Sequence, residues 1–189
     1  VSCHFLINKR GDVFKLVSLK KRAWHAGESK WMGKKDINRR SIGIEIVHEG
    51  ELSNKKFPDA QIKSLVKLLD FLKNKYRIKD ILGHSDIAPL RKIDPGKDFP
   101  WNKIFLKLKL EIVNKQINKK KMSEEKYWIF LKNLEKLGYG YINQNSHDDH
   151  NSLVINAFHR RYLPNLLNKE LQITSLNMVN DLLKLKNID

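Results

Sequence analysis

Cysteine and long apolar runs are what this chain most lacks. Its 189 residues include one cysteine, Cys3, which excludes an internal disulfide and a zinc site built on cysteine pairs. We interpret Cys3 as a small buried apolar residue on a strand. No run approaches the ~20 apolar residues that span a membrane, so we expect no transmembrane segment. Hydrophobic residues still make up 41% of the chain, which is enough for a core.

Acidic residues are scarce beside the basic ones. The chain has 37 lysines and arginines against 21 acids, which gives a net charge of +16. Such an excess favours a polyanionic partner, and an acidic polymer would meet that need. The basic residues are mostly lysines spread along the chain, without the arginines and aromatic rings on one face that stack nucleic-acid bases. A basic nucleic-acid binder is therefore a weaker alternative, and we expect no nucleic-acid partner.

Hydrophobic periodicity predicts an α/β domain in the first half of the chain. Residues 1–50 contain short strand patterns, residues 58–76 repeat apolar residues at helical spacing, and residues 78–82 indicate a buried strand. Strands and a long helix that pack together predict a mixed central β-sheet flanked by helices.

The second half of the chain is helical and begins with a basic stretch. We predict a first domain over residues 1–104, a helical and basic linker over 105–122, and a small three-helix domain over 123–189. The three helices have apolar faces of their own, so we expect the last range to fold as a separate unit. We also expect the protein to be a monomer.

Residues 83–96 (GHSDIAPLRKIDPG) contain the groups of a hydrolytic metal site. His84 follows the predicted strand, and Asp94 precedes a Pro-Gly turn with Lys92 beside it. A loop of this kind could bring the imidazole and the carboxylate onto one ion. Zinc accepts mixed nitrogen and oxygen ligands, and a catalytic zinc uses three protein ligands and leaves the fourth position to water. His84 and Asp94 would be two ligands, and the third must lie elsewhere.

Five blocks follow one another in the first 101 residues. They are residues 2–7 with 11–13 (SCHFLI and GDV), 22–27 (RAWHAG), 41–45 (SIGIE), 83–96 and 99–101 (FPW). In this order they resemble the zinc-dependent N-acetylmuramoyl-L-alanine amidases, relatives of the peptidoglycan recognition proteins. Two shorter pieces, residues 137–139 (LGY) and 157–164 (AFHRRYLP), resemble the peptidoglycan-binding helical domain often fused to such amidases.

The resemblance implies zinc ligands at His84 and Asp94 and catalytic roles for Glu45 and Lys92. Glu45 would be the general base, and its place in an apolar strand fits a carboxylate that needs a function. Lys92 would donate to the oxyanion. The family's third ligand is a histidine on an earlier strand, so we expect an N-terminally incomplete chain whose third ligand lies upstream of Val1. The implied cofactor is Zn²⁺.

The same resemblance places Trp24, His25 and Asn38 on the substrate side. A structural His25 packed beside Trp24 is a nearly equal alternative. His4 lies at a position that the family does not use as a ligand, so we do not interpret it as one. The cluster over residues 147–150 (HDDH) lies in a loop without rigid elements, and we do not expect it to bind a metal.

The implied reaction is hydrolysis of the amide bond between N-acetylmuramic acid and L-alanine. The expected partner is peptidoglycan or a muropeptide, with intact wall and recycled fragments both open. The alternative is a non-catalytic peptidoglycan-binding module, because one zinc ligand is absent from this chain. Peptidoglycan chemistry favours the bacterial cell envelope or periplasm over the cytoplasm, and no signal region is visible.

Overall fold

The computed structural model describes residues 2–53, 55–110 and 116–188. Within these ranges the chain forms five short strands and six α-helices. The strands are β1 (Phe5–Ile7), β2 (Val13–Lys15), β3 (Lys30–Trp31), β4 (Lys34–Lys35) and β5 (Ile44–Ile46). The helices are α1 (Asp59–Lys75), α2 (His84–Ile87), α3 (Trp101–Lys107), α4 (Glu124–Leu137), α5 (Asp149–Tyr162) and α6 (Ile173–Leu185).

Three of the strands form a mixed sheet in the order β2-β1-β5. Leu6 of β1 pairs with Phe14 of the antiparallel β2 and with Glu45 of the parallel β5. The turn from β1 to β2 requires glycine, because Gly11 has a φ of +89° and a Cβ there would lie 2.7 Å from the carbonyl oxygen of Ala60. This sheet and its flanking helices confirm the predicted fold class.

Helix α1 covers the sheet with the apolar face that its sequence predicts. Its buried apolar residues are Ile62, Leu65, Leu69 and Leu72. They share a core with Ile7 of β1 and with Trp101 and Ile104 of α3. The fully buried Gln61 donates from Nε2 to the carbonyl oxygens of Ile7 at 3.1 Å and Val47 at 2.9 Å. These bonds fix the helix against the ends of two strands.

The strand predicted over residues 78–82 is wrong. The segment pairs with no strand in the part of the chain that the structure describes. Side chains hold it instead: Arg161 donates from Nη2 to the carbonyl oxygen of Ile81 at 2.7 Å. The indole of Trp31 donates to the carboxylate of Asp80 at 3.3 Å. The segment then leads directly into α2, whose first residue is His84.

In the described residues, the linker predicted as helical and basic over residues 105–122 is helical only at its start. Helix α3 ends at Lys107, and Lys109 takes a left-handed φ of +53°. Residues 111–115 of this linker lie outside the described residues. The boundaries at residues 104 and 122 therefore stay predictions.

Helices α4, α5 and α6 lie within the range predicted for three helices. Their shared core includes Phe130, Leu131, Leu134, Val154, Phe158, Val179 and Leu182. The same cluster contains residues from the first 88 positions, namely Ala26, Trp31, Ile37, Ile87 and Ala88. The apolar core is therefore continuous between the helices and the loops around the candidate site. No helix in the described ranges is long and apolar enough to cross a membrane.

Candidate active site

The loop after His84 returns Asp94 to the start of helix α2. The backbone N–H of Ser85 donates to the carbonyl oxygen of Asp94 at 2.9 Å, which closes the loop. His84 Nδ1 is then 3.1 Å from Asp94 Oδ2. The imidazole is 18% exposed, and the Asp94 side chain is 57% exposed. The structure thus brings together the two residues predicted as metal ligands, with the carboxylate open to solvent.

Both ring nitrogens of His84 face oxygens that can only accept a hydrogen bond. Nε2 lies 3.1 Å from the carbonyl oxygen of Ala26, and Nδ1 lies 3.1 Å from Asp94 Oδ2. A neutral ring carries one proton, so a ring that donates from Nε2 to Ala26 leaves Nδ1 to a cation shared with the Asp94 carboxylate. Two ligands of a tetrahedral zinc, each about 2.0–2.2 Å from the ion, lie roughly 3.3 Å apart. The pair therefore fits two ligands of a zinc ion, with Ala26 orienting the ring.

The charges around Asp94 favour its ionised form. Desolvation alone would raise the pKa of the Asp94 carboxyl, but the hydrogen bond and charge of His84 and the charge of Lys92 lower that pKa below its ordinary value. The backbone N–H of Lys92 donates to the carbonyl oxygen of Ala88 at 3.0 Å, so its position follows from the same loop. An ionised carboxylate is the form that binds a metal.

Arg91, which the sequence did not single out, ties two loops of the site together. Its Nε and Nη2 donate to the carbonyl oxygen of Glu28 at 3.0 and 2.8 Å. Nη2 also donates to the carbonyl oxygen of Ala26, the group that orients His84. The signal for Arg91 in the sequence was its position next to Lys92 in the motif. The spacing of the residues does not show that Arg91 lies near residues 26 to 28.

His25 lies beside this pair, and its proton is also fixed. The Ser41 hydroxyl donates to the carbonyl oxygen of Ile37 at 2.7 Å, so its oxygen accepts from His25 Nε2 at 2.8 Å. Nδ1 of His25 is buried and has no hydrogen-bond partner among the described residues. Burial, then His4 and His84, lower the pKa of His25 to about 4, so the ring is neutral at pH 7. Its contact with substrate stays a prediction.

Asn38 and Trp24 differ in exposure. Asn38 is 4% exposed, and its Oδ1 accepts the backbone N–H groups of His25 and Ala26, both at 2.8 Å. That oxygen therefore supports the loop, and the predicted substrate contact of Asn38 stays untested. Trp24 is 58% exposed, and the guanidinium of Arg22 lies 3.7 Å from the ring centroid.

Glu45 lies in β5 with an exposed side chain. The apolar strand around it suggested a carboxylate with a burial cost, and its exposure removes that argument for a function. Two residues earlier, Gly43 packs on His25, since a Cβ there would lie 2.3 Å from Cγ of the ring. Gly43 thus connects β5 to the site, while the general-base role of Glu45 stays a prediction.

His4 has structural partners on both ring nitrogens. Nδ1 accepts from the backbone N–H of Gly43 at 3.0 Å, and Nε2 donates to the carbonyl oxygen of Lys21 at 3.1 Å. His4 is therefore not a free ligand. In the described ranges, no three His, Cys, Asp or Glu side chains converge as a metal site. The third ligand expected upstream of Val1 stays a prediction.

The cluster over residues 147–150 also has structural partners. Asp148 accepts the backbone N–H of Asn151 at 2.9 Å and so caps α5. His147 Nε2 lies 2.8 Å from a carboxylate oxygen of Glu124, and its ring stacks on Tyr127. These contacts account for His147 and Asp148 as structural residues.

The model of the N-acetylmuramoyl-L-alanine amidase family (Amidase_2) matches residues 1–97. The chain belongs to this family. It is 41% identical over 112 residues to the 1,6-anhydro-N-acetylmuramyl-L-alanine amidase AmpD of Haemophilus influenzae, and the match covers 58% of this chain and 59% of that protein. It is 26% identical over 185 residues to a putative N-acetylmuramoyl-L-alanine amidase of Rickettsia conorii, covering 89% and 68%. This chain thus spans less than two thirds of the length of the Haemophilus relative.

A solved structure of the N-acetylmuramyl-L-alanine amidase AmiD from E. coli shares the fold. That structure is a complex with the substrate anhydro-N-acetylmuramic acid-L-Ala-D-gamma-Glu-L-Lys. The TM-score is 0.85 at 26% identity, over 99% of this chain and 80% of that one. The likeness therefore includes helices α4–α6 as well as the sheet. The family resemblance inferred from the five blocks is confirmed.

Proposed function

We propose that this protein hydrolyses the amide bond between N-acetylmuramic acid and L-alanine in peptidoglycan or muropeptides, with a zinc-activated water. One observation carries this assignment: Nδ1 of His84 lies 3.1 Å from Oδ2 of Asp94, at the two positions that the family motif gives to zinc ligands. Membership of the amidase family supports the reaction class.

Four residues would divide the chemistry. His84 and Asp94 would hold the zinc, together with the third ligand that the family motif requires. A zinc ion bound there would polarise the scissile carbonyl and lower the pKa of its water to about 7. Glu45 would accept a proton from the attacking water and deliver it to the leaving amine. Lys92 would donate a hydrogen bond to the oxyanion that develops on the carbonyl.

The surroundings of the pair support a muropeptide as substrate. Trp24 offers an exposed ring, and the net charge of +16 attracts an acidic polymer. The AmiD complex contains an anhydromuropeptide, and AmpD is named for 1,6-anhydro-N-acetylmuramyl-L-alanine. We infer that a muropeptide of this class is the substrate, and that the protein acts in the cell envelope, where such material originates.

Turnover of a synthetic anhydromuropeptide tests this function. The protein is stripped with a chelator, reloaded with one equivalent of Zn²⁺ and incubated with the substrate, and the products are separated by liquid chromatography and mass spectrometry. We expect chelation to abolish release of the L-alanyl peptide and zinc to restore it. Asp94→Asn, which keeps the shape but loses the anionic ligand, should stay inactive after reloading. Binding without turnover at any zinc concentration would contradict the assignment and favour a non-catalytic peptidoglycan-binding module.

A further inference from the structure

A buried carboxylate lies two residues after His84. Asp86 is 1% exposed, and its Oδ2 accepts the backbone N–H of Gly83 at 2.7 Å. Gly83 directly precedes His84, so this bond closes the first turn of α2. A buried carboxylate is costly unless it is paired and hydrogen-bonded. The partners of Asp86 therefore decide whether this turn is stable.

Those partners come from the last third of the chain. Arg161 of α5 donates from Nη1 to Asp86 Oδ2 at 2.6 Å. Tyr139, which follows α4, donates its hydroxyl to Asp86 Oδ1 at 2.8 Å. Arg161 is 9% exposed and Tyr139 is 2% exposed, so water does not substitute for either donor. Both oxygens of the carboxylate are thus occupied by the helical part of the molecule.

Arg161 is itself held in place on the other side of the interface. Its Nη2 donates to the carbonyl oxygen of Ile81 at 2.7 Å. Its guanidinium lies 4.1 Å from the ring centroid of Trp101 in α3. The two directed hydrogen bonds and the stacked ring fix the orientation of the planar Arg161 guanidinium. The bond from Nη1 then fixes the orientation of the Asp86 carboxylate.

The turn between Asp86 and the candidate ligands has little room to adjust. A Cβ on Gly83 would lie 2.7 Å from Cδ of Pro95, the residue after Asp94. The backbone N–H of Ser85 donates to the carbonyl oxygen of Asp94. A shift of the Asp86 carboxylate would therefore move the backbone on both sides of His84 relative to Asp94.

We propose that Arg161 and Tyr139 are positioning residues for the candidate site. They fix Asp86, and Asp86 fixes the turn that sets His84 against Asp94. Helices α4 and α5 then serve the site directly, in addition to any part that they play in binding the polymer. The consequence for turnover rests on the proposed function, whereas the positioning is a property of the fold.

Lys186 provides a matched control from the same interface. Its Nζ lies 2.5 Å from Oδ1 of Asp80, so it also forms an ion pair between the helices and the first part of the chain. The other oxygen of Asp80 accepts from the Trp31 indole. Among the described residues, neither Lys186 nor Asp80 forms a side-chain hydrogen bond or ion pair with α2, so loss of this pair should lower stability without a specific effect on His84.

Amide hydrogen exchange of the metal-free full-length chain, resolved by NMR, tests the positioning. The amides of Gly83 and Ser85 report the turn because both donate within it, and the amides of α1 report global stability. In Arg161→Met, exchange at Gly83 and Ser85 should rise roughly tenfold or more relative to α1. Tyr139→Phe removes one hydroxyl and should give a smaller selective rise, about threefold.

The conservative variant and the control complete the test. Arg161→Lys keeps the charge and should restore part of the protection, while Lys186→Met should leave Gly83 and Ser85 unchanged relative to α1. Exchange that stays at the wild-type rate, or that rises only in step with α1, would overturn the positioning role. If Arg161→Met does not fold, the exchange rates in Tyr139→Phe decide the test. This variant should fold because the aromatic ring keeps its edge-on packing against Trp31 at 5.1 Å.

This readout needs neither zinc nor substrate, so its failure is distinct from failure of the proposed function. In the active protein we also expect Arg161→Met to lower kcat with KM little changed, and Lys186→Met to change neither. Selective exchange in a protein without turnover would keep the positioning role and remove the amidase proposal.

Discussion

At the scale of single residues, the surroundings of Nδ1 distinguish His84 from His25. Nε2 of His84 lies beside the carbonyl oxygen of Ala26, and Nε2 of His25 lies beside the Ser41 hydroxyl. Nδ1 of His84 lies beside the Asp94 carboxylate, whereas Nδ1 of His25 lies against Gly43. The proposed zinc ligation therefore falls to His84, and His25 is a neutral ring beside the pair.

Glu45→Gln should remove nearly all turnover while zinc stays bound. The side chain is exposed and the amide has a similar shape, so folding is unaffected, but an amide cannot accept the proton. Lys92→Ala should lower kcat by a factor on the order of 10²–10³, because one hydrogen-bond donor to the oxyanion is lost. Steady-state kinetics on the anhydromuropeptide and zinc content by mass spectrometry measure both effects. Wild-type turnover in Glu45→Gln at normal zinc content would disprove the general-base role.

His159 should make the whole fold sensitive to acid. It is 1% exposed, its Nε2 lies 2.9 Å from Ser175 Oγ, and burial lowers its pKa from 6.5 to about 4. Between these two values the unfolded chain binds a proton that the folded chain does not, so the free energy of unfolding should fall as the pH drops, by roughly 3 kcal/mol. Urea unfolding at pH 7, 5.5 and 4.5 measures this slope.

The matching variants separate His159 from other acid-sensitive groups. His159→Gln should reduce the pH dependence by the His159 share and leave the share of His25, whose pKa is also lowered to about 4. The control is His150→Gln, which changes an exposed histidine. A wild-type slope in His159→Gln would show that other groups cause the acid sensitivity.

At the scale of elements, the sequence predicted the helices and strands that depend on residues close together in the chain. Apolar periodicity predicted α1 and the three C-terminal helices, and the strand patterns of residues 1–50 predicted short strands in the range that holds β1 and β2. Contacts between distant parts of the chain were not predictable from spacing: Asn38 supports the loop before Gly27, and Arg91 reaches Glu28. The strand prediction over residues 78–82 failed for the same reason, because a side chain from α5 takes the carbonyl oxygen that a strand partner would use.

Gly43→Ala should displace His25 from its place beside β5. A Cβ at this position would lie 2.3 Å from the ring, so the strand or the ring must move, at a cost of about 1–3 kcal/mol. Gly33→Ala is the control: it has a φ of +70° and no atom within 4 Å, so it carries backbone strain of about 1 kcal/mol without a clash. Chemical denaturation and the NMR shifts of the His25 ring measure the difference. Equal stability losses and unmoved His25 shifts would contradict the packing argument.

At the scale of the whole molecule, the two parts of the chain share a core and buried charges. Ala26, Trp31 and Ile87 from the site loops are buried in the same cluster as α4–α6. Arg160 pairs with Glu51 at 3.0 Å, where both side chains are largely buried. The helices therefore share their core with the residues around the candidate site, and the separate folding unit expected from the sequence stays a prediction.

Truncation after Lys121 should destabilise the site as well as remove the helices. Apolar residues that the helices cover would become exposed, so the melting temperature should fall by more than roughly 10 °C. Turnover should drop alike on a soluble muropeptide and on insoluble wall. Calorimetry and the two assays measure this, and unchanged melting with full activity on the soluble substrate would instead show a separate binding unit.

Anomalous diffraction at the zinc edge, from crystals of the zinc-loaded full-length protein, tests the central claim most directly. We predict a single strong peak about 2.0–2.2 Å from both His84 Nδ1 and Asp94 Oδ2, with His84 Nε2 still bonded to Ala26. A zinc peak at other side chains, or one coordinated through Nε2 of His84, would contradict the assignment of this pair.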